Sequence, residues 1–212
     1  MEKSMETNAE RSMETNAKGS TETTAEKKKK GSFLTTGDIV LVALFAALIA
    51  ACSFIQIPVG PVPFTLQTFA VFVTAGLLGT KRGTLSVIVY ILLGAVGIPV
   101  FAGSGGIGVL AGSAGGYITG FIFTAIIIGV ITSHISPKSV PANIAVLIVA
   151  MILGDVVCFT LGTIQFMIVT GTNLVVSLSY CVTPFIVPDL VKIVLAAVIV
   201  NRLKKYVTRF FG

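Results

Sequence analysis

Two ionisable side chains, Asp189 and Lys192, lie in the first half of an otherwise apolar stretch at residues 182–200. The stretch is long enough to cross a lipid bilayer. An ionisable group at membrane depth costs about 2.5–3.5 kcal/mol on insertion scales, so its presence points to a function. Because three residues are close to one helical turn, the two groups lie on one face of a helix, where they can contact each other or a shared ligand. The pair predicts a binding site for a small polar molecule.

The composition is that of a polytopic membrane protein. Hydrophobic residues make up 54% of the 212-residue chain and charged residues only 11%, whereas soluble domains contain roughly 25% charged residues. Residues 1–30 hold seven of the 15 Lys and Arg residues and six of the nine Asp and Glu residues, so the other acids are Asp38, Asp155 and Asp189. The net charge of +6 does not form a basic face for phosphates, which excludes nucleic-acid binding.

The sequence lacks the motifs of common enzymes. No Gly-rich loop leads into Gly-Lys-Ser or Gly-Lys-Thr, so the chain does not itself bind ATP in that way. Neither a Gly-x-Ser-x-Gly elbow nor a His-Glu-x-x-His pair is present, and the three cysteines lack metal-ligand spacing. We therefore predict a binding or transport protein that is not an enzyme and that holds neither a cofactor nor a metal.

The first residues form a polar segment with two copies of Ser-Met-Glu-Thr-Asn-Ala and a run of lysines at 27–30. Such a segment cannot bury enough apolar surface to offset its ordering entropy. We predict a disordered tail at residues 1–32, followed by a six-helix membrane domain at residues 33–212.

Six apolar blocks follow the tail, and each predicts one membrane-spanning helix. They lie at residues 38–57, 64–79, 84–98, 115–132, 142–169 and 182–200. A spanning helix needs about 20 residues, so the second and third blocks are short and require tilt or help from the Pro-containing loops beside them. The predicted fold class is an all-α membrane protein with six transmembrane helices.

The positions of the cations predict the orientation. They precede the first helix, lie between the second and third and between the fourth and fifth, and follow the sixth, whereas loops 57–63, 99–114 and 170–181 contain no Lys or Arg. By the positive-inside rule, both termini of this multi-pass protein of the cell membrane are cytoplasmic. The outer loops are rich in Gly, which lets backbone approach a ligand closely, so we expect a pocket open to the outside near Lys192.

Two further features leave alternatives open. Asp155, within the fifth block, is either a pocket or ion-coupling group, or an acid that is neutral or bonded to a neighbouring helix. Ala43, Ala47 and Ala51 recur every four residues on the first helix. That spacing lets helices pack closely in lipid, so the alanine stripe faces either a partner protein or the protein's own helices.

Four segments, taken in order, form a specific pattern. They are Val62-Pro63-Phe64-Thr65-Leu66-Gln67, Leu93-Gly94-Ala95-Val96-Gly97-Ile98-Pro99-Val100-Phe101-Ala102-Gly103, Gly115-Gly116-Tyr117 through Gly120-Phe121, and Pro184-Phe185-Ile186-Val187-Pro188-Asp189-Leu190-Val191-Lys192. With them, the chain resembles the BioY family, the biotin-binding S components of energy-coupling factor (ECF) transporters, over about residues 36–203.

The resemblance implies a six-helix protein that captures biotin from outside and works with a transmembrane coupling protein and two ATPase subunits. It also implies that Asp189 and Lys192 contact biotin. A carboxylate can accept from the two ureido N–H groups, and an ammonium suits the ureido carbonyl or the valerate carboxylate. The other residues that we assign to the biotin site are Gln67, Phe101, Ser104, Gly115, Gly116 and Tyr117. The alanine stripe resembles the surface that such components present to the coupling protein.

The chain departs from the family pattern in three places. Gly112-Ser113-Ala114-Gly115-Gly116 stands where the family usually has Gly-Pro-Thr-Gly-Gly. Gln165 stands where an aromatic residue is common, and Asp155 is not expected from the pattern. An S component for another vitamin and a proton-coupled secondary carrier, with Asp155 as its proton site, remain the alternative functions.

Overall fold

A computed structural model describes residues 35–57, 62–135, 137 and 139–211 of the chain. Within these residues the chain forms seven helices and one pair of short strands. In chain order they are α1 (Thr36–Ser53), β1 (Gln56–Ile57), β2 (Phe64–Thr65), α2 (Gln67–Ala95), α3 (Ile107–Ala111), α4 (Gly115–His134), α5 (Val140–Thr170), α6 (Leu174–Cys181) and α7 (Ile186–Phe211). The tail predicted at residues 1–32 lies outside the described residues.

Four helices, α1, α2, α4 and α5, are long and apolar enough to cross a membrane, with 18, 29, 20 and 31 residues. The short α6 and the longer α7 form a fifth candidate span that is bent by 48° at the break between them. A predominantly helical, multi-pass membrane protein is therefore confirmed. The described residues contain four or five candidate spans by length and composition, rather than the six that the sequence predicted.

The helix α2 is folded back on itself at Gly79, where φ is 72° and ψ is −169°. The side chains of Gln67 and Tyr90 are hydrogen-bonded although they are 23 residues apart, a separation of about 34 Å along a straight helix. A Cβ atom on Gly83 would lie 3.0 Å from the Cα of Ala75. The two halves therefore pack side by side, as separate second and third apolar blocks predict.

The loops contain more regular structure than the sequence predicted. Loop 99–114 contains α3, and loop 170–181 contains α6, which begins where Asn173 Oδ1 accepts a hydrogen bond from Val176 N at 3.0 Å. This is a normal helix N-cap. The last long helix, α7, begins at Ile186. The strands β1 and β2 pair in antiparallel fashion, so the structure is not strictly all-α. The short helices and strands contain too few residues for a periodic pattern to predict them.

The core lies between α2, α4, α5 and α7, which pack against one another. Glycines occupy the closest approaches between helices. A Cβ on Gly120 would lie 3.1 Å from the Cα of Cys158, and one on Gly129 would lie 2.4 Å from the Cα of Thr80. Close contact between backbones supplies van der Waals attraction, which drives helix association in lipid.

The helix α1 has one buried face and one exposed face. Phe45 and Ile49 lie on the buried face and join the core. At the end far from β1, Asp38 forms an ion pair with Arg82 of α2, with 2.5 Å between Oδ1 and Nε. Arg82 and Lys204 of α7 line the same surface depression, so cationic side chains of α2 and α7 meet at this end of the molecule.

Candidate ligand-binding site

The charged pair lies in the first turns of α7 and is buried. Asp189 is 2% exposed and Lys192 is 5% exposed. Lys192 Nζ donates to Asp189 Oδ1 at 2.8 Å, so the two side chains contact each other as their spacing of three residues predicts. Burial of a charge is costly unless it is paired and hydrogen-bonded, and both conditions are met here.

The ammonium group of Lys192 has three protein acceptors. Besides Asp189, Nζ donates to the carbonyl oxygen of Thr65 at 2.7 Å and to Thr68 Oγ1 at 3.0 Å. The ammonium also lies 3.8 Å from the ring centroid of Phe64, within the range of a cation–π interaction. Because a lysine has three donors, a ligand that binds this ammonium must replace one of the internal partners.

A mostly apolar cavity lies beside Lys192. Its empty space is about 690 Å³ when the open mouth is included. Binding pockets for small molecules are likewise mostly apolar, with a small number of polar groups. The cavity wall includes Gln67, Thr68, Phe101, Tyr117, Asp155 and Lys192.

The two buried carboxyl groups near the cavity, Asp155 and Asp189, have different environments. Among the described residues, the cavity wall includes Lys192 and Asp155 but not Asp189. The carboxylate of Asp189 is held by Lys192 and by Thr68, whose Oγ1 lies 3.5 Å from Oδ1. Asp155 is 8% exposed. Cys158, which also lines the cavity, follows Asp155 by three residues on α5. The two side chains therefore lie on the same face of that helix.

A hydrogen-bonded cluster fixes the side chain of Gln67 at the cavity wall. Gln67 Nε2 donates to Tyr90 Oη, and Thr65 Oγ1 donates to Gln67 Oε1 at 3.1 Å. Tyr90 Oη in turn donates to the carbonyl oxygen of Val100 at 3.0 Å. The ring of Tyr90 packs edge-on against Phe101 with 5.6 Å between centroids, so the cluster connects two wall residues.

A tight turn places Phe101. Its N–H donates to the carbonyl oxygen of Ser104 at 2.8 Å, and Ser104 N–H donates back to Phe101 at 3.0 Å. The two residues between them, Ala102 and Gly103, have φ values of 51° and 82°, the positive pair that such turns require. Gln56 Nε2 donates to the carbonyl oxygen of Ala102 at 3.1 Å. The Ser104 side chain is exposed, so the structure places its backbone, rather than its hydroxyl, in support of the wall.

Gly115 and Gly116 pack at the start of α4. A Cβ on Gly115 would lie 1.8 Å from the carbonyl oxygen of Leu110, and one on Gly116 would lie 2.6 Å from that of Leu161. Tyr117 follows directly and lines the cavity with a half-buried ring. Gly115 therefore lets the start of α4 lie against α3, and Gly116 lets it lie against α5. The contact of both glycines with a ligand stays a prediction.

Three polar residues shape the site in ways that were not predicted from the sequence. Thr65 and Thr68 provide acceptors for Lys192. Their position close to the Val62-Pro63-Phe64 segment was the feature of the sequence that could have identified them. Gln165 Nε2 donates to the carbonyl oxygens of Leu110 at 2.7 Å and Gly112 at 2.8 Å. Gln165, at a position where the family often has an aromatic residue, thus anchors the loop before α4. That loop also departs from the family pattern.

The fold and the cavity define a class: a multi-pass helical membrane protein with an apolar cavity beside a buried ion pair. The comparison with known proteins agrees. Residues 22–209 match the model of the BioY family. The chain therefore belongs to the BioY family.

Similar proteins are matched over nearly their full lengths. The biotin transporter BioY of Thermotoga maritima is 41% identical over 170 residues, which are 79% of this chain and 96% of that protein. The probable biotin transporter BioY of Pyrococcus horikoshii is 39% identical over 168 residues, again 79% and 96%. The crystal structure of the S-component for biotin from an ECF-type ABC transporter matches with a TM-score of 0.72 at 30% identity, covering 81% of this chain and 95% of that one.

Proposed function

We propose that this protein is the biotin-binding membrane component of an ECF transporter, which captures biotin from outside and supports its uptake with an ATP-driven module. The observation that carries the proposal is the buried Asp189–Lys192 pair beside an apolar cavity, in a chain whose relatives are named biotin transporters. Biotin combines a ureido ring, a thioether ring and an aliphatic chain that ends in a carboxylate. An apolar wall with a few polar groups suits all four parts.

The substrate site consists of the eight residues expected from the sequence. Lys192, Gln67, Phe101 and Tyr117 act from the cavity wall. The predicted contact by Asp189 requires the lysine to release part of its hold on that carboxylate. The remaining three residues support the wall through the backbone: Ser104, Gly115 and Gly116.

The cavity faces the outside, and both termini are cytoplasmic. Support comes from the charges on α7, where Lys192 borders the cavity and Lys204 lies 12 residues further on, about 18 Å along the helix. Lys204 lies beside Arg82, in the depression lined by both, and clustered cations favour the cytoplasmic side. With each half of α2 counted as one span, the chain has six spans.

The alanine stripe on α1 binds the transmembrane coupling protein, which joins the protein to two ATPase subunits. Ala43, Ala47 and Ala51 all lie on the exposed face of α1, whereas Ala46 of the same helix is 1% exposed. The stripe is therefore open to a second helix. Small side chains let two backbones approach closely in lipid.

Titration of the purified protein with biotin tests the binding function. The wild type should bind saturably, and Lys192→Ala and Asp189→Asn should each weaken binding about 30-fold or more, because truncating one partner of a buried charge pair costs about 2–5 kcal/mol. Asp38→Asn, which alters an ion pair away from the cavity, is the matched control and should bind normally. Absence of saturable binding by the wild type would overturn the function, and normal binding by both the Lys192 and the Asp189 variants would overturn the site.

Co-purification with the coupling protein and the two ATPases tests the partner assignment. Ala47→Trp should reduce assembly and leave biotin affinity unchanged, because the new ring occupies the close-packing surface of α1. Val149→Trp adds the same ring to an exposed position of α5 (55% exposed) and serves as the control. Normal assembly of the Ala47 variant would remove this assignment. Uptake that collapses with a protonophore at constant ATP would instead support a proton-coupled carrier.

A further inference from the structure

We infer that Asp155 is a ligand-binding residue whose carboxylate accepts a hydrogen bond from one N–H group of the ureido ring. The inference rests on the proposed function and adds a contact that the family pattern does not predict. It begins from the position of Asp155 on α5, in the wall of the same cavity that Lys192 borders.

The carboxyl group of Asp155 is buried without a hydrogen-bond partner in the described part of the chain. Its residue is 8% exposed, and the ion pairs found among the described residues join Arg82 to Asp38 and Lys192 to Asp189. Buried polar groups almost always have a partner, so each exception calls for an explanation. Asp155 borders the cavity, where an N–H group of a ligand can supply the hydrogen bond that a buried carboxylate needs.

The contrast with Asp189 strengthens the assignment. The carboxylate of Asp189 already accepts from Lys192 at 2.8 Å and from Thr68 at 3.5 Å. Asp155 belongs to the cavity wall, and no described group donates a hydrogen bond to it. Of the two carboxyl groups, Asp155 is therefore the one that a ligand can reach without displacing an internal donor.

The chemistry of a carboxylate selects which end of the ligand it meets. In a cyclic urea the two N–H groups flank the carbonyl and point apart, so one carboxylate accepts from one of them, and the other N–H stays available to Asp189. The valerate carboxylate has no donor and would be repelled. A ligand that displaces water from Asp155 loses affinity unless it replaces the lost hydrogen bonds. The ureido ring therefore faces α5, and acceptor groups of the ligand face Lys192.

Three ligands and one isosteric variant test this orientation in the full-length protein, purified in detergent. The ligands are biotin, desthiobiotin, which keeps the ureido ring, and 2-iminobiotin, in which a cationic cyclic guanidinium replaces the urea. Asp155→Asn should weaken biotin and desthiobiotin by the same factor, about 10-fold to 100-fold, since a hydrogen bond to a charged group is lost. It should weaken 2-iminobiotin more, because an attraction between opposite charges is lost as well.

The ratio of the dissociation constants of 2-iminobiotin and biotin is the decisive measurement. A structural role for Asp155 would lower all affinities together and leave the ratio unchanged, which would overturn the inference. Unchanged affinities for all three ligands would also overturn it while the proposed function stands, whereas a wild type that does not bind biotin would overturn the function itself. Asp38→Asn makes the same chemical change away from the cavity and should alter neither affinity nor ratio.

A second variant covers the case in which Asp155→Asn is not recovered as folded protein. Asp155→Glu keeps the charge but moves it by one methylene group. It should weaken biotin and keep the ratio of the dissociation constants of 2-iminobiotin and biotin near the wild-type value. A change of that ratio in Asp155→Glu would place the carboxylate away from the ureido ring and refute the inference.

Discussion

Removing one member of the Asp189–Lys192 pair should destabilise the ligand-free protein far more than removing both. Lys192→Met deletes the donors to Asp189, Thr65 and Thr68 and leaves a carboxylate that is 2% exposed without its countercharge. Loss of one partner from a buried pair costs about 3–5 kcal/mol. At about 2–4 °C per kcal/mol for a chain of this length, the melting temperature should fall on the order of 10 °C.

The reverse change, Asp189→Asn, should also be costly, because the ammonium of Lys192 stays buried with neutral acceptors. The double variant removes both charges and avoids an uncompensated buried ion. It should therefore regain most of the loss, with a coupling energy of about 2–3 kcal/mol between the two positions.

Two buried free cysteines, Cys158 and Cys181, provide the assay. A thiol-reactive fluorescent dye reports unfolding as they become exposed during heating, once the reaction of the partly exposed Cys52 is complete. The Asp38–Arg82 pair gives the comparison cycle. Since the Arg82 side chain is 31% exposed, the coupling there should be at most about 1 kcal/mol. Additive losses at Asp189 and Lys192, or equal coupling in both cycles, would refute the reasoning from burial.

Two further substitutions test how the loop before α4 is held. Gly115→Ala should lower the melting temperature and the biotin affinity, because its Cβ would lie 1.8 Å from the Leu110 carbonyl oxygen, whereas Gly108→Ala, which meets nothing within 4 Å, should melt like the wild type. Gln165→Leu removes donors to the carbonyls of Leu110 and Gly112 and should cost about 1–3 kcal/mol. Amide hydrogen exchange at residues 107–114 should then quicken, and unchanged exchange would show that the amide does not anchor the loop.

Local relationships in the site were predictable from the sequence. The spacing of Asp189 and Lys192 fixes their position on one helical face, and the structure brings them to 2.8 Å. The apolar blocks likewise predicted the long helices, because a span of about 20 apolar residues has few other solutions in a membrane. The cations and glycines beside Gly79 predicted the break between the second and third apolar blocks.

Contacts between distant parts of the chain were not predictable. The acceptors of Lys192 on Thr65 and Thr68 are 127 and 124 residues away. Gln165 reaches the Leu110 carbonyl across 55 residues. Such contacts depend on how the helices pack, which a single sequence does not specify. For the same reason, the sequence suggested alternatives for Asp155 and could not identify which carboxyl group borders the cavity.

The hydrogen bond from Gln56 to the Ala102 carbonyl joins β1 to the turn that carries Phe101, and it is exposed. A bond of this kind contributes about 1 kcal/mol net, so thermal motion breaks it often. The ion pair of α7 is secured by several contacts and does not share this weakness. Different residues should therefore govern the dissociation rate of the vitamin and the selectivity of the site. Substitutions at Gln56 should change the dissociation rate and leave the selectivity unchanged.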